Sequence, residues 1–342
     1  APQSESSHDD PTLDDTGELP TQLGNDPELR EELLKVITRH KGEFSTQLRK
    51  EAADLPSMNL TVADAWESAE NRRSPRMQGP KRNEEINKQT IVMEDFGVIR
   101  LSTASAHSQV LLTPKPDGTW RFCVDYRRLN EQTKAEQWPI PNIPEMLRRI
   151  GAKKPRYFGL IDLTKGYYQA PLSESSKHYT AFITSCALYE WNRVPMGLMG
   201  APTYFQRIMT TVVLAGLMYN TCEVYMDDII VWGSTKKEYI ENVSKVLKRL
   251  ERHRLTANPK KTQLGLESIE YVGHKIDHEK VVFNRERLQK IIEFPEPQTL
   301  GQLKKFLGMA GYVRDSVKGA ADRTTLLTEH NLPFLRISSV VL

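Results

Sequence analysis

Tyr225-Met226-Asp227-Asp228 sets two adjacent carboxylates between apolar runs, beside Val224, Ile229, Ile230 and Val231. Like charges this close repel, and apolar surroundings make each anion costlier. A divalent cation resolves the conflict. Mg²⁺ is hard, takes oxygen ligands, and is commonly held by one or two carboxylates plus substrate phosphates. Taken alone, the pair reads equally well as an exposed turn, where Asp is favoured. Asp162 shifts the balance, because it ends another apolar run, FGLIDL (158–163). Adjacent strand ends would bring Asp162 and Asp227 within reach of one metal pair. In such a pair one ion activates an attacking oxygen and the other stabilises a leaving oxygen. The competing reading of Asp162 is an N-cap ahead of residues 164–168.

Phosphates need cations. Lys115, at a hairpin tip, and Arg121, on the strand that follows, are placed to close over a triphosphate, one as a point charge and one as a fork. Solvent-facing charges on an isolated hairpin are the plainer alternative. Gly197 and Gly200 bracket a turn before a helix and allow close backbone approach.

The elements that must carry these groups are legible in outline. Asp26-Pro27 starts a helix, with Asp as N-cap and Pro in the first turn, and Leu29, Leu33, Val36, Ile37 and His40 follow on one face. Residues 50–82 read as a polar, irregular linker with a basic patch at Arg72, Arg73, Arg76, Lys81 and Arg82. A helix over 83–94 ends at Gly97. Residues 110–124 read as strand, Asp-Gly turn, strand. Residues 139–144 are an extended connector, 158–163 a strand, and 181–184 with 189–194 another hairpin. Ala201-Pro202 opens a helix that buries Phe205, Ile208, Met209 and Val212. Residues 222–232 are two short strands around the Asp pair. Thr235 and Glu238 form a capping box, and Thr299 with Gln302 repeats it. Residues 271–276 are expected as one strand, and 285–292 as a helix. Strands and helices mixed without regular alternation give the α+β class.

Composition sets bounds. The chain has 342 residues, 39% apolar and 27% charged, enough to bury a core. Its net charge of +3 is too mild to announce a nucleic-acid partner, yet it hides an asymmetry. Residues 1–25 carry six acids and no Lys or Arg, whereas residues 233–314 carry 17 Lys/Arg against 10 Asp/Glu. The first 25 residues are expected to be a disordered acidic leader, with no signal peptide. Asp15-Thr16-Gly17 matches an aspartic-protease triplet, but both sides are polar, and coincidence in a tail explains it better. No apolar run approaches the ~20 residues of a membrane span. Cys123, Cys186 and Cys222 are far apart and form no CxxC pair, which suggests a reducing compartment rather than a disulfide framework or zinc site. A first residue of Ala is read as a processed product or a fragment.

One set of motifs goes further. VLLTPKPDGTWRFCVDYRRLN (110–130), PIPNIPEMLRRIG (139–151), YFGLIDLTKGYYQAPL (157–172), TAFIT (180–184), VPMGLMGAPTYFQRIM (194–209), VYMDDIIVWG (224–233), LTANPKKTQLG (255–265), EYVGHKI (270–276) and TLGQLKKFLGMAGYVR (299–314) occur in one order. With FGVIRLSTA (96–104), they resemble the reverse transcriptase of gypsy-type LTR retrotransposons over roughly residues 83–318.

The resemblance implies a right-hand polymerase, with fingers and palm over 83–275 and a thumb over 276–318. An extension of helix and linker (26–82) precedes it, and a truncated tail (319–342) follows. It implies an RNA-directed DNA polymerase, a nucleotidyltransferase that adds deoxynucleotides to a primer on an RNA or DNA template. Asp162, Asp227 and Asp228 would be the catalytic carboxylates on Mg²⁺, with Mn²⁺ as the alternative ion. Lys115 and Arg121 would meet the incoming triphosphate, Met196 and Gly197 would line the nucleotide pocket, and Tyr167 would gate against a ribose 2′-hydroxyl. Tyr271, Gly273 and His274 look like the primer grip. The implied partners are template, primer and deoxynucleoside triphosphates, together with other products of a polyprotein and no membrane. The implied location is intracellular, in a cytoplasmic virus-like particle or the nucleus. Met226 stands where gypsy elements usually have Val or Leu, and Met196 replaces a usual Phe. The chain stops at ISSVVL, where a ribonuclease H domain would normally begin. Two other readings remain open: an RNA polymerase with a related palm, against which Tyr167 argues, and a domesticated remnant that binds nucleic acid without activity.

Overall fold

The computed structural model describes residues 17–115, 118–134, 136–283 and 285–313. In chain order the elements are β1 (Gln22–Leu23), α1 (Pro27–Arg39), α2 (Pro80–Asp95), β2 (Ile99–Leu101), β3 (Ser108–Pro114), β4 (Trp120–Asp125), α3 (Arg127–Gln132), α4 (Ile143–Ala152), β5 (Tyr157–Asp162), α5 (Glu174–Lys177), β6 (Phe182–Ile183) and β7 (Leu188–Trp191). There follow α6 (Ala201–Ile208), β8 (Cys222–Tyr225), β9 (Asp228–Gly233), α7 (Lys236–Arg252), β10 (Gln263–Leu266), β11 (Ser268–Tyr271), β12 (His274–Asp277), β13 (Val281–Phe283), α8 (Arg285–Ile292) and α9 (Leu300–Val313).

The chain divides into two compact units. The first contains residues up to Ile140 and Tyr157–Glu267; the second contains Pro141–Arg156 and the chain from Ser268 onward. The division between the units lies between Glu267 and Ser268, and residues 141–156 belong with the second.

Two five-stranded sheets build the first unit, in the orders β1-β10-β5-β9-β8 and β2-β7-β6-β3-β4. The central strand β5 has neighbours on both edges and a nearly continuous apolar sequence, as a strand covered on both faces requires. α7 lies directly on it. A Cβ at Gly159 would come within 2.5 Å of the Tyr239 hydroxyl, so only glycine fits beneath that ring. Tyr239 in turn donates to the Phe158 carbonyl (3.0 Å) and accepts from the Gly265 amide (2.8 Å), which ties α7 to β5 and β10 at once. α7 starts as its sequence predicts: Thr235 Oγ1 accepts from the Glu238 amide at 3.2 Å.

The N-terminal segment departs from expectation. Residues 1–16 lie outside the described residues, but Gln22–Leu23 within the expected leader pairs in parallel with Gln263–Leu264. Asp26 caps α1 through the Leu29 amide (3.0 Å), and α1 buries Leu29, Leu33, Val36 and Ile37. The expected linker is packed rather than solvated, since Leu55, Met58 and Trp66 are buried. Its polar composition hid this because apolar anchors spaced along an irregular chain give no periodic signal. α2 begins at Pro80, three residues before the expected start.

The second unit contains α4, the sheet β11-β12-β13, α8 and α9. Asn142 caps α4 through the Glu145 amide (3.0 Å), within what reads from sequence as extended connector. The expected single strand 271–276 is a hairpin in which Tyr271 pairs with His274 across Val272 and Gly273. Both turn residues have positive φ, +42° and +79°. A two-residue hairpin loop demands that geometry, but Val is an unusual choice for it, so the turn is invisible in the sequence. Thr299 and Gln302 form the expected reciprocal cap at the start of α9, each side chain bonding the other's amide at 3.2 Å.

Replacing Tyr239 by Phe strands a buried carbonyl and a buried amide without changing packing volume. We expect Tyr239→Phe to lose roughly 1–3 kcal/mol of stability, seen as a lower urea midpoint with an unchanged slope. A midpoint equal to wild type would mean that this hydroxyl does not join the helix to the sheet.

Candidate active site

The register of β5 against β9 makes Asp162 the direct partner of Asp228. On the other side, β8 pairs Tyr225 with the same Asp228, so Met226 and Asp227 form the hairpin turn. Three carboxylates thus collect at one end of three adjacent strands. Met226 takes the left-handed region, at φ +59°, which costs a non-glycine residue on the order of 1–2 kcal/mol. A buried amide holds it there. Gln206 of α6, 1% exposed, accepts from the Met226 amide (2.8 Å) and donates to the Val224 carbonyl (3.0 Å). The Leu163 amide bonds the Asp227 carbonyl (3.3 Å), and the Asn258 amide bonds the Asp162 carbonyl (2.7 Å). Gly166 allows the following turn to pass close, since a Cβ there would approach Asp227 Cβ to 2.9 Å.

The electrostatics follow from this crowding. Burial, then the charges of Asp227 and Asp162, push Asp228 up to about 6. Burial also raises Asp162, against the opposing pull of Lys261. The Lys261 ammonium lies 3.2 Å from Asp162 Oδ2, an exposed lysine on a half-buried carboxylate. Among the described residues, no three acidic, histidine or cysteine side chains form a ready cage for an ion.

Other expected site residues vary in how closely they gather. Tyr167 is half-buried, edge-on to Phe205 with ring centroids 5.2 Å apart, and its hydroxyl points to Met226 Sδ at 3.9 Å. Burial, then Asp227 and Tyr225, push that hydroxyl up to about 12. Lys165 is lowered, first by desolvation and then by the like charge of Lys115, so Lys115 reaches the neighbourhood of the turn after Asp162. Arg121 stands exposed on β4 opposite Thr113. The Asp117 of the hairpin turn lies outside the described residues. Met196 is exposed, and Gly197 takes φ +96° with its carbonyl bonded by Asn130 (2.9 Å). In the second unit, Tyr271, Gly273 and His274 are buried. The Tyr271 hydroxyl meets Met146 Sδ at 4.0 Å and His274 packs on Phe283, so these two side chains shape their hairpin from inside. Sequence reasoning missed Gln206, Lys261 and Asn258. The available signal was Gln206, an amide between Phe205 and the buried Ile208 on a helix that packs against the hairpin.

The raised Asp228 gives a stability signature. Its pKa moves from 3.8 to about 6 on folding, so between these values the folded chain binds more protons than the unfolded one. The stability it contributes is complete below about 4 and is lost as pH rises through about 6. Metal-free Asp228→Asn should therefore melt above wild type at neutral pH, and the gap should close as pH falls from about 6 to about 4. Thermal melts across this range check it. A variant that melts below wild type at neutral pH would show that burial and like-charge repulsion do not dominate at Asp228.

Against this geometry, the family described as reverse transcriptase (RNA-dependent DNA polymerase) matches residues 113–276. The Retrovirus-related Pol polyprotein from transposon 412 of Drosophila melanogaster is 31% identical over 273 residues, 77% of this chain and 22% of its own length. The corresponding polyprotein from transposon 297 is 34% identical over 70% of this chain and 23% of its own; that from transposon gypsy is 30% identical over 86% and 28%. The chain thus spans between 22% and 28% of the length of these relatives. Among solved structures, the foamy viral protease-reverse transcriptase in complex with RNA/DNA hybrid is similar with a TM-score of 0.76 at 22% identity, over 93% of this chain and 42% of that one. The same viral protein (dRH) with ds DNA gives 0.76 at 23%, over 96% and 57%. At that identity the likeness is one of fold, and it is the mixed α and β polymerase fold expected from the sequence. With its aspartate-bearing hairpin inside the matched region, the chain belongs to the reverse transcriptases of gypsy and related LTR retrotransposons.

Proposed function

We propose that this chain is a polymerase module that adds deoxynucleotides to a primer on an RNA or DNA template by two-metal-ion phosphoryl transfer. The observation that carries it is the pairing of Asp162 with Asp228 across β5 and β9, with Asp227 at the adjoining turn. The donor set suits Mg²⁺ or Mn²⁺. Its ligands are hard oxygens, burial and then neighbouring carboxylate charge raise Asp228 and Asp162, and Lys261 already sets a cation against Asp162. Fewer than three protein ligands suffice, because Mg²⁺ keeps waters and takes substrate phosphates for the rest of its shell. Asp162, Asp227 and Asp228 would hold the ions, which when bound supply an activated attacking oxygen and charge stabilisation at the leaving one.

The remaining residues bind and select. Desolvation, then the like charge of Lys115, lowers Lys165, so a triphosphate that joins the two relieves that repulsion, and Arg121 offers a bidentate fork. Tyr167, backed by Phe205 and Met226, cannot retreat from a sugar laid over it. The viral relatives solved with RNA/DNA hybrid and ds DNA support a template–primer duplex as partner. The curated relatives are polyproteins, which supports other products of the same polyprotein as further partners.

Asp227→Asn keeps shape and removes a charged ligand. Primer extension should fall by several orders of magnitude while duplex binding persists, since binding rests on backbone phosphates elsewhere. Near-normal extension by the purified variant would remove the proposed site.

Tyr167→Ala separates DNA from RNA synthesis. A gate works by clashing with the wrong substrate, so shortening it should admit ribonucleotides with little gain for deoxynucleotides. The relative kcat/KM for ribonucleotides should rise about ten-fold or more, a shift of ~1.4 kcal/mol. If Tyr167 serves only as a core ring, both sugars should lose activity equally, and side-by-side incorporation assays distinguish the outcomes.

A further inference from the structure

Within the basic patch before α2, Arg72-Arg73-Ser74-Pro75-Arg76 sets a serine among three arginines. Ser74 is exposed, and its hydroxyl has no hydrogen bond among the described residues. Residues 72–79 form neither helix nor strand. Side chains hold this stretch in place. His107 and Gln109 donate to the Arg73 carbonyl at 2.8 and 3.3 Å. Gln109 also donates to the Ser74 carbonyl (3.2 Å) and accepts from the Arg76 amide (2.9 Å). A residue before proline is biased to extended backbone, the form in which a phosphoacceptor lies along a kinase cleft. Pro75 brings no amide hydrogen to the next position, so a cleft with no acceptor there loses nothing by taking it. The chain has one other Ser/Thr-Pro pair, Thr113-Pro114, and it lies in β3, opposite Arg121 and Trp120 of β4. To reach a cleft, Thr113 would have to break that hairpin, whereas Ser74 gives up only side-chain tethers.

The surroundings suit a phosphate on Ser74. This residue lines a cavity of about 600 Å³ together with Arg73, Arg76, Arg127 and Arg128. The carboxylates of the same wall are already engaged. Asp125 accepts two bonds from Arg127, at 2.8 and 2.7 Å, and a longer one from Arg76 at 3.3 Å. Glu70 accepts from Arg128 at 3.2 Å, and the charge of Glu131 acts on Arg127. Arg73 is left with no ion pair or hydrogen bond among the described residues. Arg76 can turn away without stripping Asp125 of its partner, because Arg127 keeps both oxygens. A phosphoserine carries about two negative charges, and opposite arginines it makes about one to three charge-assisted hydrogen bonds.

We infer that Ser74 is a phosphorylation site for a proline-directed serine/threonine kinase, and that Arg73 and Arg76 receive the phosphate. The kinase transfers the γ-phosphoryl group of ATP. The Ser74 Oγ–P bond forms and the bond from the γ-phosphorus to the bridging oxygen breaks. ADP leaves with that electron pair, and the hydroxyl proton passes to the catalytic base of the kinase. The test treats the full chain with a cyclin-dependent kinase and ATP. Mass spectrometry should find a phosphoryl group on Ser74. Ser74→Ala should take up none, and Pro75→Ala should be modified at least about ten-fold more slowly. In a ³¹P NMR titration the phosphoserine should lose its second proton at least about half a pH unit below the ~6 of an unpaired phosphoserine. The phosphorylated double variant Arg73→Gln/Arg76→Gln should titrate near ~6. An unmodified Ser74, modification at Thr113 instead, or an undiminished rate in Pro75→Ala would overturn the acceptor assignment. A wild-type titration near ~6, or one that the double variant leaves in place, would overturn the receiving arginines.

Discussion

Three carboxylates at the end of β5, β8 and β9 repel one another, and everything around them has to hold that repulsion in place. Register does the first part. Asp162 faces Asp228 because Tyr157 through Asp162 pair in unbroken sequence with Gly233 through Asp228. A slip of one residue would turn every side chain to the opposite face. β5 is fixed by β9 on one edge, by β10 on the other and by α7 above, so a slip would also drive a side chain into the space under Tyr239 that only Gly159 can fill. The second part falls to neutral groups. Gln206, the Asn258 amide and the Leu163 amide all brace the backbone of the acidic residues or their turn, and none carries charge. Neutral braces leave the negative potential available for cations. Lys261 is the exception, and its exposed side chain can move away as a buried arginine could not.

The sequence made the charged half of this arrangement legible and hid the neutral half. Adjacent Asp227 and Asp228 between apolar runs, with Asp162 at the end of another run, are conspicuous because burying like charges is costly. Gln206 is not conspicuous: an amide on a helix reads as ordinary surface until the helix is seen to pack against the hairpin. The left-handed Met226 is equally silent, since its conformation is imposed by the two strands and by Gln206 rather than by its own side chain. Caps at Asp26, Thr235 and Thr299 and the hairpin expected over 110–124 are found because their signals lie within a few residues. β1, by contrast, is two residues long and pairs with a strand some 240 positions away, which no local pattern records. The Val272-Gly273 turn was lost for another reason, a β-branched residue where Asn or Asp would have announced it.

The extension that reads as linker is structurally part of the site. The Thr164 hydroxyl bonds the Ser45 carbonyl (2.7 Å), and the Ala53 amide bonds the carbonyl of Gln169 (2.8 Å). Gln169 itself is buried and spans the Thr164 and Thr256 carbonyls, both at 2.8 Å, while accepting from the Thr256 amide. Thr164 follows Asp162 by two residues, and Thr256 precedes by two the Asn258 that bonds it. Residues 45–53 therefore cover the two backbone segments from which Asp162 is suspended.

Arg193 takes the same logic to its limit. It is 2% exposed, and its guanidinium donates to four backbone carbonyls and no carboxylate: Tyr168 (3.3 Å), Arg49 (2.8 Å), Lys50 (2.5 Å) and Phe96 (3.1 Å). Burial without a counter-ion pulls its pKa down to about 10, still charged at neutral pH. Arg is the side chain with enough donors in one plane to meet several carbonyls at a point. Those carbonyls come from the extension, the approach to β2 and the segment beside Tyr167. Arg193 also lies three residues before Met196 and four before Gly197. The segment of the residue proposed to face the sugar and that of the residues expected to line the nucleotide pocket thus share one buried cation, and the extension closes over it.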